Sequence, residues 1–193
     1  MIETPRILAF AGSLRAGSFN KRLIKIAVEG AREAGAEVTL IELLDFPLPI
    51  LNQDDEDAHG LPENAKKLKA LFISHHGFLI SSPEYNSSIT GVLKNVIDWG
   101  SRAETPDETP LVAYTGKTCA LVSASPGALG GLRALVHVRA ILGNIGVYVV
   151  PGQVSIPKAD GAFDENGALK DEQKRKAVYG LARTLVEVTR KLG

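Results

Sequence analysis

The sequence is poor in several features that would point to particular classes of protein. It has a single cysteine, Cys119, among 193 residues, which excludes an intrachain disulfide framework and indicates a reducing compartment. Its 22 basic residues balance 22 acidic ones, which argues against a surface built for nucleic acid. No apolar run has membrane-spanning length, and the first residues lack the segments of a signal peptide. These absences predict a cytoplasmic protein with no membrane span and no nucleic-acid partner.

What the sequence does have is a regular alternation of short apolar runs and amphipathic segments, which predict five strands and five helices. The strands are expected at 7–10, 38–41, 78–81, 118–123 and 147–150, the helices at 20–34, from 61, at 89–102, at 132–142 and from 171, and irregular connections at 44–60, 103–115 and 151–167. Such alternation is typical of parallel βαβ units with right-handed crossovers. The prediction is an α/β fold, a flavodoxin-like doubly wound five-stranded parallel sheet of order 2-1-3-4-5, in one domain spanning residues 1–193.

Three loops that follow predicted strands have an unusual composition. They are Gly12–Asn20, Ser82–Asn86 and Ser123–Gly131. In the order 2-1-3-4-5, the loops after strands one, three and four meet at the switch point, where open α/β sheets bind their ligands. The coincidence of the three loops at one edge supports a ligand site more strongly than any one loop alone.

The first loop has the chemistry of a phosphate site. Ser13, Ser18 and Asn20 offer side-chain hydrogen bonds, and the loop leads into a helix N-terminus that favours an anion. Arg15 adds a forked cation. The spacing matches neither G-x-G-x-x-G nor the P-loop pattern. A helix cap at Ser18 beside a solvated arginine explains the same residues, so this loop alone leaves both interpretations open.

The second loop suits a flat polar ligand. Pro83 stiffens the turn, Tyr85 offers an apolar face with a hydroxyl tip, and Asn86 offers both donors and an acceptor. The Glu84 carboxylate could serve as a general base, but a lone carboxylate without a visible partner is more often structural or solvated. An ordinary turn with an exposed tyrosine is the alternative.

The third loop and the remaining reactive groups carry weaker signals. The loop includes Ser125 and Gly127, and it is either a second wall of the site or a flexible connection. His75 and His76 are adjacent and lack any further metal-binding pattern, so no metal site is predicted. Cys119 falls in a predicted core strand, which indicates a buried, inert thiol.

Taken together, these motifs resemble a known family, the NADPH-dependent FMN reductases. The pattern Gly-Ser-Leu-Arg-x-Gly-Ser-x-Asn in the first loop resembles the FMN-phosphate loop of that family. The second loop and the helix after it are similar to the family's flavin-ring motif. The matching segments are 12–20, 45–49, 82–86, 91–99 and 130–133. By pattern, the chain is most similar to bacterial flavin reductases that act on quinones, chromate and azo dyes.

The resemblance implies noncovalent FMN as the cofactor, and NADPH or NADH as the electron donor. The residues it implies for the FMN phosphate are Ser13, Arg15, Ser18 and Asn20, and those for the flavin ring are Pro83, Glu84, Tyr85, Asn86, Ser125 and Gly127. The implied reaction is a ping-pong transfer of hydride from NAD(P)H through FMN to a quinone, free flavin or similar electrophile. No catalytic side chain is predicted, because the flavin carries the electron chemistry. Homodimers or homotetramers with the flavin near an interface are also implied.

Two departures and two alternatives accompany this interpretation. Family members often have an aromatic residue at position 87 and a proline at position 90, where this chain has Ser87 and Thr90; acceptor choice and interface detail depend on both. A flavodoxin-type electron carrier is one alternative, but carriers usually dock through strongly acidic surfaces, and the net charge here is zero. A non-enzymatic regulatory protein is the other, because fold alone never establishes activity.

Overall fold

The alternation in the sequence appears directly in a computed structural model, which describes residues 2–192. The strands are β1 (Arg6–Ala11), β2 (Glu37–Leu40), β3 (Gly77–Ser81), β4 (Thr118–Ala124) and β5 (Tyr148–Ile156). The helices are α1 (Phe19–Glu33), α2 (Gln53–His59), α3 (Glu63–Ser74), α4 (Gly91–Gly100), α5 (Leu132–Asn144), α6 (Ala159–Ala162) and α7 (Glu172–Leu192). A short 3-10 helix lies at Leu43–Asp45.

The five strands form one parallel sheet in the order β2-β1-β3-β4-β5. This confirms the predicted flavodoxin-like topology. Every residue of β3 and β4 is buried, because helices cover both faces of a parallel sheet, and such strands are mostly apolar. Side chains on β1 alternate between two cores. Ile7 and Ala9 pack with α1 and α7, whereas Leu8 and Phe10 pack with α3, α4 and α5.

The connection at 44–60 corrects the prediction, because it holds the 3-10 helix and α2 instead of irregular chain. The Asn52 side chain caps α2 by accepting a hydrogen bond from the Asp54 N–H at 3.1 Å, and acidic residues fill the first turn. Both features stabilise a helix N-terminus. Since α2 has no buried residue, it has no apolar stripe from which periodicity could have been recognised.

The segment at 151–167 also corrects the prediction, because β5 continues well into it and α6 follows. Pro151 and Gly152 lie where the register of β5 against β4 shifts. β5 is an edge strand, and there a proline can occur without the loss of an inner ladder bond. The Arg139 guanidinium donates to the backbone oxygens of residues 149–152 at 2.9–3.3 Å. Hydrogen bonds from Arg139 of α5 therefore stabilise the register shift in β5.

Two expected absences can be checked against the described chain. Within residues 2–192, no helix is long and apolar enough to cross a membrane. The same residues contain no group of three or more His, Cys, Asp or Glu side chains arranged to hold a metal ion.

Cys119 is fully buried in β4, and this burial raises the pKa of its thiol. The thiol is thus protonated and shielded, as the sequence predicts.

Candidate active site

The loops after β1, β3 and β4 meet in a crevice of about 100 Å³ at the carboxyl edge of the sheet. Eight of the ten predicted site residues line it: Ser13, Arg15, Ser18, Asn20, Pro83, Glu84, Tyr85 and Ser125. Phe19, Ala124 and Pro126 complete the lining. The two remaining predicted residues, Asn86 and Gly127, lie in the same loops but outside this lining. The fold thus brings the cationic loop and the tyrosine loop to one place, as the ligand-site hypothesis requires.

The first loop presents an open helix N-terminus to the crevice. Ser18 occupies the N-cap position of α1, yet its side chain makes no capping hydrogen bond, and the first turn has no acidic residue. Ser18 is therefore the N-cap residue by position, as the helix-cap interpretation expects, but its hydroxyl caps no backbone N–H of α1. The Arg15 side chain is exposed, and no group within residues 2–192 accepts a hydrogen bond from its guanidinium. A helix N-terminus beside a free guanidinium favours an anion.

Asn20 is engaged with the protein itself. Asn20 is only 3% exposed. Its Oδ1 accepts hydrogen bonds from Ser81 Oγ at 2.8 Å and from the Ala124 N–H at 3.0 Å. Its Nδ2 donates to the Ala124 carbonyl at 2.8 Å. Only one N–H of the amide is left for another acceptor. Asn20 therefore ties the start of α1 to the ends of β3 and β4 and fixes the position of the first loop.

The second loop contains a tight two-residue turn. Tyr85 and Ser88 exchange backbone hydrogen bonds of 2.9 and 3.0 Å, and the residues between them, Asn86 and Ser87, have φ values of 50° and 66°. Two positive φ values define a type I′ turn, which favours Asn followed by Gly. The turn leaves Tyr85 59% exposed beside the crevice. Asn86 thus contributes a conformation that few residues adopt easily, and Ser87 adopts it at some cost.

Thr90, the second departure from the family pattern, joins the first and second loops. It is the N-cap residue of α4, and its Oγ1 accepts a hydrogen bond from the Leu93 N–H at 3.2 Å. The same hydroxyl donates to the Gly12 carbonyl at 2.7 Å. A proline at this position has no hydroxyl and could make neither bond. The departure therefore adds a buried link between the two loops.

Glu84 has a partner that the sequence did not reveal. Arg133 of α5 donates to Oε1 through Nε at 2.8 Å and also through Nη2. The backbone N–H groups of Arg133 and Ala134 donate to Oε2 at 3.1 and 3.3 Å. Burial raises the pKa of Glu84, but the hydrogen bonds and the charge of Arg133 outweigh it and hold that pKa below its usual value. The carboxylate is ionised and fully engaged, which does not suit a general base.

The third loop is held in place by hydrogen bonds. Ser123 Oγ donates to the Ser82 carbonyl at 2.6 Å, which links the third loop to the second. Ser125 Oγ accepts from the Gly127 N–H at 3.3 Å, and the Gly127 carbonyl accepts from the Lys158 N–H at 3.3 Å. These contacts favour the wall of a site over a flexible connection.

Sequence reasoning missed the buried hydroxyls that position the loops and one aromatic residue of the lining. Ser81 and Ser123 are both fully buried at the carboxyl ends of their strands, and a polar residue at the end of an apolar run is the signal that could have found them. Phe19 follows the predicted cap and stacks on Phe163 with ring centroids 6.1 Å apart. Since Phe163 is far along the chain, no local pattern marks that contact.

This fold and crevice define a flavodoxin-like protein whose ligand site lies at the switch point of the sheet. A family model described as NADPH-dependent FMN reductase matches residues 5–161. The chain belongs to this family. Membership confirms the resemblance inferred from the motifs, and it confirms the class of protein, an NAD(P)H-dependent oxidoreductase that uses FMN.

Individual relatives are similar over almost their whole length. The chain is 33% identical over 193 residues to an NAD(P)H-dependent FMN reductase of Pseudomonas aeruginosa, covering 100% of this chain and 99% of that protein. It is 34% identical over 179 residues to a quinone reductase of Pseudomonas putida, with coverages of 90% and 89%. Among solved structures, it is similar to FerB, an NAD(P)H:(acceptor) oxidoreductase flavoenzyme of Paracoccus denitrificans. That match has a TM-score of 0.79 and 27% identity, and covers 98% of this chain and 100% of FerB.

Proposed function

We propose that this protein transfers hydride from NAD(P)H, through FMN held noncovalently in the crevice, to a quinone, free flavin or similar electrophile in a ping-pong cycle. One observation carries the proposal: the free guanidinium of Arg15 and the open N-terminus of α1 share a crevice with Pro83 and Tyr85. A ligand with an anionic tail and a flat ring can be held there at both ends. When bound, FMN supplies the hydride chemistry.

The tail of the ligand would be held by the first loop. Ser13 and Ser18 are nearly buried and line the crevice, so their hydroxyls could donate to a phosphate there, and Arg15 would add charge-assisted hydrogen bonds. Asn20 would contribute through its one remaining amide N–H. This division leaves Arg15 as the main source of phosphate affinity and Asn20 mainly as the residue that positions the loop.

The ring would be lined by the second and third loops, largely through their backbone. The lining residues are Pro83, Glu84, Tyr85 and Ser125, with Asn86 and Gly127 beside them. The enclosed volume of about 100 Å³ is below the roughly 300 Å³ at which typical ligand pockets begin. Part of the ring would therefore remain open to solvent. An open face is what a ping-pong cycle needs, since NAD(P)H and the acceptor must reach the same side of the ring in turn.

We also propose that residues 1–193 form a single domain that works in the cytoplasm as a homodimer or homotetramer. α7 packs against the same sheet face as α1, which supports a single unit. Cys119 is a free buried thiol, which suits a reducing compartment. Val136 on α5 and Tyr148 on β5 are exposed apolar side chains that a second copy could cover. The mass in solution, measured by light scattering, tests the assembly.

The visible absorption spectrum of the purified protein tests the function. We expect the bands of bound flavin, bleaching by NADPH or NADH without oxygen, and return of the bands when a quinone is added. Steady-state rates at several quinone concentrations should give parallel double-reciprocal lines. A coloured protein that NAD(P)H bleaches without sustained turnover would indicate an electron carrier. A colourless protein that refuses added FMN would contradict the proposal.

A further inference from the structure

The contact between Glu84 and Arg133 joins two walls of the crevice. Glu84 belongs to the second loop, and Arg133 is the second residue of α5, which follows the third loop. The Glu84 side chain is 8% exposed, whereas that of Arg133 is 54% exposed. Both carboxylate oxygens of Glu84 are occupied, one by the guanidinium and the other by two backbone N–H groups. The pair is thus anchored on the side of the carboxylate.

Glu84 also caps the N-terminus of α5, which its own N-cap residue cannot do. The N-cap residue of α5 is Gly131, at φ 88°, and the first turn has no acidic residue. A Cβ on Gly131 would lie 1.9 Å from Ser123 Oγ, so a residue with a side chain does not fit there. The first N–H groups of a helix need an acceptor, and its positive end favours an anion. Glu84 supplies both from a neighbouring loop.

We propose that Glu84 and Arg133 form an ion pair of zero net charge that holds the second loop against the N-terminus of α5. The balance of these two charges sets the reduction potential of the bound flavin. This inference rests on the FMN site proposed above, because Glu84 lines that crevice. Charges near a flavin ring tune its electronics. Reduction adds negative charge to the ring, so a net positive neighbour favours it and a net negative neighbour opposes it. With both partners present, the two charges cancel.

The two partners are expected to have unequal effects when the other is removed. Without the Arg133 side chain, Glu84 Oε2 still accepts from two backbone N–H groups, so the negative charge stays in place at the crevice. Without Glu84, the half-exposed guanidinium of Arg133 can turn into solvent, where screening weakens it. Loss of the arginine should therefore shift the potential further than loss of the glutamate.

The test is the midpoint potential of bound FMN, measured against a reference dye in the FMN-loaded protein and its variants. Glu84→Gln should raise the potential, Arg133→Gln should lower it by more, and the double variant should return near the wild-type value. Arg133→Lys keeps the positive charge and should also stay near wild type. The matched control is Lys94→Gln, which breaks the ion pair of Lys94 with Asp98 on α4, away from the crevice lining.

The outcomes separate a charge effect from a structural one. A merely structural contact would move both single variants in the same direction, with the double variant no nearer to wild type than either single variant, and that result would overturn the inference. Unchanged potentials in both single variants would overturn it as well. If Arg133→Gln does not fold, Glu84→Gln and Arg133→Lys still give different expectations, a raised potential for the first and an unchanged potential for the second. A wild-type chain that binds no FMN would remove the proposed function and this inference together.

Discussion

The carboxyl ends of the strands, here called the carboxyl edge, and the amino ends, here called the amino edge, contain similar polar residues. The two edges use these residues in opposite ways. At the carboxyl edge, the Arg15 guanidinium and the first two N–H groups of α1, those of Phe19 and Asn20, have no acceptor in the described chain, residues 2–192. At the amino edge, Lys117 Nζ donates to the carbonyls of Ile73 and His75 at 3.1 and 2.5 Å. Cationic side chains are present at both edges, but only the carboxyl edge leaves one free for a ligand.

Three of the four ring nitrogens of the histidines at the amino edge also make hydrogen bonds within the fold. His75 Nδ1 lies 2.6 Å from the Leu71 carbonyl, and its Nε2 lies 2.8 Å from Thr39 Oγ1. His76 Nδ1 accepts the Arg6 backbone N–H at 2.9 Å. Adjacent histidines resemble metal ligands in the sequence, yet here their ring nitrogens serve the fold. The comparison teaches that a ligand-binding edge differs from a purely structural edge less in its residue types than in whether its polar side chains already have hydrogen-bond partners within the fold.

The largest effect is expected from Asn20→Ala, which would remove the hydrogen bonds that join α1 to β3 and β4 at the carboxyl edge. The substitution leaves Ser81 Oγ and both backbone groups of Ala124 without their partner in a buried place. We expect the free energy of unfolding to fall by about 3 kcal/mol, with a loss of FMN binding as a consequence. Urea denaturation of the apoprotein measures the first effect. An apoprotein of wild-type stability would show that Asn20 does not link the strands.

Arg15→Ala should separate binding from stability at the same edge. The guanidinium has no partner in the described chain, so its loss should leave the melting temperature of the apoprotein unchanged. Charge-assisted hydrogen bonds to phosphate contribute about 1.5–3 kcal/mol, so FMN should bind about 10- to 100-fold more weakly. Titration by quenching of flavin fluorescence measures this. Arg183→Ala, on the exposed face of α7, is the matched control, and equal FMN affinity in both variants would exclude Arg15 from the phosphate site.

Thr90→Val tests the link between the first and second loops. It removes the cap of α4 and the bond to the Gly12 carbonyl with little change of volume. We expect a loss of about 1–2 kcal/mol in the free energy of unfolding and weaker FMN binding. Thr90→Ser keeps the hydroxyl and should behave like wild type in both measurements. If serine and valine have equal effects, the hydroxyl does not link the loops.

The smallest effect should come from the amino edge, through His76. Burial lowers the pKa of His76 from its ordinary 6.5, and the charges of Arg6, Lys117 and His75 lower it further. As pH falls below 6.5, the unfolded chain takes up a proton before the folded chain does, so stability decreases until the folded-state pKa is reached. Lys117, with a pKa of about 8, stays charged throughout that window.

The check is urea denaturation of wild type and His76→Asn between pH 7 and pH 5. Asparagine keeps an acceptor for the Arg6 N–H and does not titrate, so its stability should depend less on pH. FMN affinity should be the same in both proteins at pH 7, since this edge is not part of the crevice. Equal pH dependence in the two proteins would show that His76 contributes nothing to the acid sensitivity.

Much of the fold and part of the site could be predicted from local patterns. Apolar runs bounded by Pro5, Gly12 and similar residues marked the strands, and their alternation with helices predicted a parallel sheet with 2-1-3-4-5 as the leading strand order, which the structure has. The missed helix α2 and the missed extension of β5 lacked such patterns. α2 has no buried face, and β5 passes through Pro151 and Gly152, two residues that usually end a strand. In the site, the sequence supplied the loops and their chemistry, with Arg15 and Tyr85 on facing loops of one crevice.

By itself, the sequence determined where the strands and most helices lie and which groups the three loops can offer, because spacing and side-chain type are local properties. Only the tertiary structure decided which groups stay free. Asn20 is used by Ala124, Glu84 by Arg133 and the Thr90 hydroxyl by Gly12. A hydrogen bond forms at about 3 Å, and only the folded chain brings residues from distant segments to that distance.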